Sequence, residues 1–228
     1  MADTTPRRGH GPSPTGDPRA SLRLLIRLLG VGLILTGLTL GGLALLRDKQ
    51  ADGTYHHTQQ SLRHQLGQPP SATPADRPHQ PTPRAGEAFA VLRVPRFGPG
   101  FAPVVVEGVS PGDLRKGPGH FPGTAGPGQK GNFAVAGHRT GWGQPFHRLP
   151  DLRKGDTLGV ERDGRTYTYR VTRTKVVEPS DVGVVAPVPG RPQARPDKAR
   201  ITLITCTDRG WDGTYIHRFV VWGELDTP

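Results

Sequence analysis

The sequence predicts an all-β domain, a closed or nearly closed barrel of about 140 residues, behind a single transmembrane helix. Three observations predict it. The run from Leu28 to Leu46 carries no charge and is about as long as the hydrocarbon core is thick. From Gly86 onward, short β-type runs alternate with dense Gly and Pro punctuation. Helical patterning beyond that point is confined to short pieces near Pro111 to Lys116 and Pro145 to Leu149.

Residues 1–21 are rich in Pro, Gly and Arg and poor in apolar side chains, which predicts a disordered tail. The transmembrane helix is expected over 22–46. Its apolar run exceeds a usual signal-peptide core, and no clean small-x-small cleavage site follows it, so the span reads as a retained anchor. Arg7, Arg8, Arg19, Arg23 and Arg27 precede the span, against only Asp3 and Asp17. After it, Arg47 and Lys49 are diluted by Asp48 and Asp52. That bias predicts a cytoplasmic N-terminus and an extracytoplasmic remainder. Residues 47–86 read as a linker: a short polar helix over Lys49 to Leu66, then a Pro-rich, semi-rigid spacer through Pro83. Residues 87–228 form the expected globular domain.

Within it, strands are expected at Ala88 to Val94, Ala102 to Glu107, Phe133 to Ala136, Thr157 to Glu161, Thr166 to Val171, Ile201 to Thr205 and Phe219 to Leu225. Asp163-Gly164 between the fourth and fifth is a hairpin signal. The stretch from Glu178 to Lys198 is long, Pro-rich and aperiodic, which favours a functional loop forming one wall of a groove.

The formal net charge is +11. The basic residues are scattered, and no aromatic-basic platform or nucleic-acid module accompanies them. An extracytoplasmic basic domain suits anionic lipid head groups and wall polymers instead. Cys206 is the only cysteine, so no internal disulfide can form, and no Cys or His pairs stand at metal-ligand spacing in the domain.

That lone thiol ends the run Arg200-Ile201-Thr202-Leu203-Ile204-Thr205-Cys206, where alternation puts Thr202, Ile204 and Cys206 on one face. A buried structural cysteine is the plain alternative. Against it stand the strand-end position and the polar residues Thr207, Asp208 and Arg209 that follow directly. His138 terminates the run Phe133 to Gly137 and precedes a turn-like Arg139-Thr140-Gly141. His120 and His147 are candidates to support the site, and His217 should point away from Arg218. Arg218 alternates with Ile216, Val220 and Trp222, on a partly apolar face where a cation needs an anionic partner. A thiol, an imidazole and a guanidinium in these settings are the parts of a cysteine acyl-transfer site.

These residues also carry a family resemblance. Thr202-Leu203-Ile204-Thr205-Cys206 resembles the Thr-Leu-x-Thr-Cys signature of sortases. Gly119 to Ala125 (GHFPGTA), with Gly128, Gly131-Asn132 and Ala136-Gly137-His138-Arg139, is similar to their histidine region, and Arg218 to their arginine. The wording is most similar to class E, the housekeeping type of high-GC Gram-positive bacteria, with one departure: Phe121 stands where class E members often carry Tyr. The resemblance implies a β barrel of about eight strands with short helices. It implies a transpeptidase that cleaves a Leu-(Ala/Pro)-x-Thr-Gly sorting signal between Thr and Gly through a thioacyl intermediate. The acyl group then passes to the amine of a lipid-linked peptidoglycan precursor. Cys206, His138 and Arg218 would be catalytic and Thr205, Phe121 and Ile204 substrate-binding, with no metal and no cofactor. The expected partners are secreted proteins with C-terminal sorting signals, and the expected location is the cell membrane. Three other readings compete. One is a pilin-polymerising sortase, another a different envelope cysteine transpeptidase, and the third an inactive, membrane-tethered binding domain. L,D-transpeptidases place a histidine close before the cysteine, and Lys198 to Thr205 contains none.

Overall fold

The computed structural model describes residues 18–67, 83–210 and 213–226. Almost all of the expected tail, and the Pro-rich spacer up to residue 82, lie outside the described residues. The chain divides into two compact units, one ending at Arg47 and one beginning at Asp48.

Helix α1 runs from Pro18 to Gly67. From Leu29 to Leu46 it carries no charge and is apolar on all sides, with Leu33, Leu38 and Leu45 exposed. It is long and apolar enough to cross a membrane. In the second unit the helix has a packed face. Tyr55, Gln59 and Leu62 are buried at spacings of four and three, one stripe of a helix.

Eight strands close into a barrel: β1 (Ala88–Arg93), β2 (Val104–Glu107), β3 (Gly119–His120), β4 (Gly131–Ala136), β5 (Thr157–Arg162), β6 (Arg165–Val177), β7 (Ala199–Arg209) and β8 (Tyr215–Leu225). Around the barrel their order is β1-β2-β3-β4-β7-β8-β6-β5. The pairs β2–β3 and β4–β7 are parallel; the others are antiparallel. Closure leaves no edge strand to be covered. The interior is filled by alternating side chains including Leu92, Phe133, Val135, Leu158, Tyr169, Ile201 and Leu203. Tyr169 brings a hydroxyl into this core, and its oxygen accepts from the Gly128 amide at 2.7 Å.

Differences from the sequence reading have local causes. Strand β2 starts at Val104, after Pro103, which lacks an N–H for the ladder. Strand β3 has two residues, too few for any periodic signal. Strand β6 continues past Val171 to Val177, because a bulge at Thr172 shifts the register and hides the alternation. Asp163 and Gly164 both have positive φ, as the expected hairpin turn requires. Near Pro111 the chain forms a one-turn helix, α2 (Pro111–Leu114), with a Ser110–Asp113 capping box. The second helical piece is a 3₁₀ turn over Leu149–Asp151, later than expected.

Candidate active site

The outer faces of β7 and β8 form the floor of the site. Ile204, Val220, Trp222, Val177 and Val184 make a second apolar cluster outside the barrel, with Phe121 and Val185 packed against it. The loop between β6 and β7, which contains a 3₁₀ turn over Val182–Val185, covers part of this cluster. Asn132 holds that loop. Its side-chain amide donates to the carbonyls of Val184 (3.2 Å) and Ala186 (3.1 Å). The Thr202 hydroxyl donates to Asn132 Oδ1 at 2.7 Å. Both polar side chains are buried and satisfied, so the wall is fixed by hydrogen bonds rather than packing alone.

Cys206 continues the exposed edge of that floor, half-buried, and in the β7–β8 register it faces Arg218. Parallel pairing of β4 with β7 sets Ala136 beside Ile204, and the Gly137 amide donates to the Ile204 carbonyl at 3.0 Å. His138 lies two residues past Ala136, just beyond the end of β4, and Cys206 lies two residues past Ile204 on β7. The strands β4, β7 and β8 are neighbours in the barrel, adjacent strands lie about 4.8 Å apart, and His138 follows the first of them while Cys206 and Arg218 pair across the other two.

Local structure positions each residue. The Thr205 hydroxyl donates to the Gly137 carbonyl at 2.8 Å, and the Phe146 amide donates to the His138 carbonyl at 3.0 Å. A Cβ at Gly137 would lie 2.6 Å from the Phe146 ring, so this approach needs glycine. Burial pushes the His138 imidazole below the ordinary histidine range, and the Arg115 charge pushes it the same way. Arg115 also lies over the ring of Trp142 in the loop after His138, 5.1 Å from the centroid. Arg218 Nη1 donates to the His217 carbonyl at 3.0 Å.

The remaining expected residues separate clearly. Ile204 and Phe121 belong to the floor cluster. Thr205, expected at the substrate, is corrected by its surroundings: it is 2% exposed and its hydroxyl is spent on Gly137, so it steadies the histidine strand instead. His120 is buried. Its Nδ1 lies 2.7 Å from Glu107 Oε2 and its Nε2 2.9 Å from Thr124 Oγ1, and its ring stacks on Phe89 and Phe133. His147 is exposed, with Nδ1 3.3 Å from the Arg139 carbonyl. His217 pairs with Glu178 at 3.2 Å and Asp208 at 3.1 Å. Sequence reasoning missed Asn132 and Thr202 as braces of the wall. The polar Thr202 on an otherwise apolar alternating face was the available signal.

A sortase domain model matches residues 92–226, more than half of the chain. The chain belongs to the sortase family, a family of cysteine transpeptidases. It is similar to Sortase SrtE1 of Streptomyces coelicolor, 34% identical over 148 residues that cover 61% of this chain and 41% of that protein. It is also similar to Sortase D of Bacillus subtilis, 28% identical over 145 residues covering 64% and 67%. The matched part thus spans well under half of the length of SrtE1. Among solved structures, sortase E from Streptomyces avermitilis aligns with a TM-score of 0.55 and 41% identity, covering 63% of this sortase and 90% of that chain. The structure of Sortase E1 from S. coelicolor with a tripeptide in its active site aligns with a TM-score of 0.55 and 33% identity, covering 62% and 90%.

Proposed function

We propose that this sortase cleaves a Leu-(Ala/Pro)-x-Thr-Gly sorting signal between Thr and Gly and joins the threonyl carbonyl to an amine of a peptidoglycan precursor. The observation that carries the reading is the pairing of Cys206 with Arg218 across β7 and β8, with His138 just past the end of the neighbouring β4, beside an apolar floor bounded by the β6–β7 loop.

The steps follow from the side chains. The Cys206 thiolate attacks the threonyl carbonyl carbon, and the Arg218 guanidinium donates hydrogen bonds to the oxyanion that forms. His138, as imidazolium, gives its proton to the glycine nitrogen as the C–N bond breaks, leaving a thioester. An incoming amine attacks that thioester, His138 takes the amine's proton, and the thiolate leaves. The leucine of the signal fits the floor made by Ile204, Val220 and Phe121. The apolar part of α1 anchors the chain, with its N-terminus on the cytoplasmic side and the barrel outside.

The test is a panel of fluorogenic Leu-Ala-x-Thr-Gly and Leu-Pro-x-Thr-Gly peptides with an amine acceptor and mass-spectrometric product analysis. A new amide at threonine is the expected product. Cleavage that survives Cys206→Ala would refute the nucleophile.

A further inference from the structure

The second half of α1 does more than lead into the barrel. Gln59 pairs with β2 as a strand would: its Oε1 accepts from the Val104 amide at 2.7 Å and its Nε2 donates to the Val104 carbonyl at 3.0 Å. The same Nε2 donates to the Lys116 carbonyl at 2.8 Å. Leu62 packs on Val104 and Val106, and Arg63 Nη2 donates to the Ala102 carbonyl. One and two turns before Gln59, the same stripe carries Tyr55 and Asp52, and these reach a different partner. Asp52 Oδ1 accepts from the Gly143 amide at 2.9 Å. The buried Tyr55 ring lies against Gly143, where a Cβ would come within 2.1 Å of Tyr55 Cδ1. Gly143 has φ +72° and follows Trp142, itself at φ +52°. Both belong to the tight loop between His138 and Phe146, whose ends are tied by the Phe146 amide to the His138 carbonyl.

We infer that Asp52 and Tyr55 are positioning residues for His138, holding the loop that follows it through Gly143 while Gln59 fixes the helix to β2. The inference rests on the transpeptidase reading of the site. A loop with four consecutive left-handed residues, Gly141 to Gln144, of which Trp142 and Gln144 are not glycine, is strained backbone that its surroundings must over-determine. The hydrogen bond and the aromatic contact from α1 supply that restraint at the loop's midpoint. Release of Gly143 frees the loop, and His138 then samples positions from which its proton misses the glycine nitrogen. Loss of alignment acts on the chemical step and leaves peptide binding at the floor intact.

The experiment uses the full chain in detergent micelles. Asp52→Ala is expected to lower kcat for the sorting peptide about tenfold with KM little changed. Asp52→Asn keeps an acceptor for the Gly143 amide and is expected to restore most of the rate. Tyr55→Leu keeps apolar volume but not the ring, and is expected to behave like Asp52→Ala. Histidine-selective NMR should show the His138 ring resonances shifted or broadened in Asp52→Ala and wild-type-like in Asp52→Asn. Wild-type kcat in Asp52→Ala, an Asp52→Asn variant as slow as the alanine, or unmoved His138 resonances in Asp52→Ala overturns the inference. A wild-type chain that cleaves no sorting peptide refutes the proposed function instead, and the NMR comparison still decides the positioning role.

Discussion

Cys206 on β7 stands opposite Arg218 on β8 in an uninterrupted antiparallel register that runs from Arg200 to Thr207. Directly opposed residues on one face have Cβ atoms about 5 Å apart. A guanidinium is long and forked, so its N–H groups can reach beyond the sulfur to where a carbonyl oxygen would turn negative. The same register places Val220 opposite Ile204, making the apolar floor beside them.

Arg218→Ala is therefore expected to cost about 10² to 10³ in kcat, the usual loss for an oxyanion donor. Arg218→Lys should recover only part of that, because an ammonium offers one point of charge in place of a planar fork. Steady-state kinetics on the sorting peptide measure both. A lysine variant at wild-type kcat would show that charge alone suffices.

The His138 imidazole is pushed down by burial first and by the Arg115 charge second. Its midpoint in an NMR pH titration should fall below the ordinary histidine value of about 6.5, and Arg115→Gln should raise it. The same shift sets a sign for stability. Between the folded and the ordinary value, the unfolded chain binds more protons at this site than the folded one. Stability from this group is thus fully present above the ordinary histidine range and is lost as pH falls through that window. Urea unfolding at two pH values across it, for wild type and Arg115→Gln, checks the direction; the variant should be less sensitive to pH.

Much of the fold was readable because a barrel strand alternates. Leu203 and Ile204 already pointed to opposite faces in the sequence, and the faces are the barrel core and the groove floor. Cys206 was expected at a strand end, but β7 continues past it to Arg209 and β8 begins before Arg218 at Tyr215, because the polar residues after Cys206 still pair across the two strands. What stayed hidden depends on partners distant in sequence. The docked stripe of α1 contains Gln59, a polar residue whose burial makes sense only once the Val104 backbone is beside it. The family resemblance implied a substrate contact at Thr205, but the pleat turns its hydroxyl toward the Gly137 carbonyl. Asn132 gains its bracing role only when the β6–β7 loop, some fifty positions later, folds over it.

Glu107 and His120 form a buried pair at 2.7 Å, joined in turn to Thr124, whose hydroxyl also donates to the Phe121 carbonyl at 2.8 Å. Removing one partner of such a pair strands the other without water. Glu107→Ala is expected to lower unfolding free energy by about 3 to 5 kcal/mol. Thr124→Val, which removes one neutral hydroxyl, should cost about 1 kcal/mol. Chemical denaturation measures both, and equal losses would mean that the carboxylate contributes no more than a hydroxyl does.

Phe121 sets the last expectation. Its ring packs at the edge of the floor cluster beside Ile204 and Val220, and it stands where class E members often carry Tyr. A hydroxyl added there can accept a hydrogen bond from the N–H of an alanine after the leucine, whereas a proline at that place has no N–H to give. Phe121→Tyr should therefore raise the ratio of kcat/KM for Leu-Ala-x-Thr-Gly over Leu-Pro-x-Thr-Gly about fivefold, the worth of one hydrogen bond of about 1 kcal/mol. Competition between the two peptides in one reaction reads the ratio directly. An unchanged ratio would mean that the aromatic edge does not meet that residue of the signal.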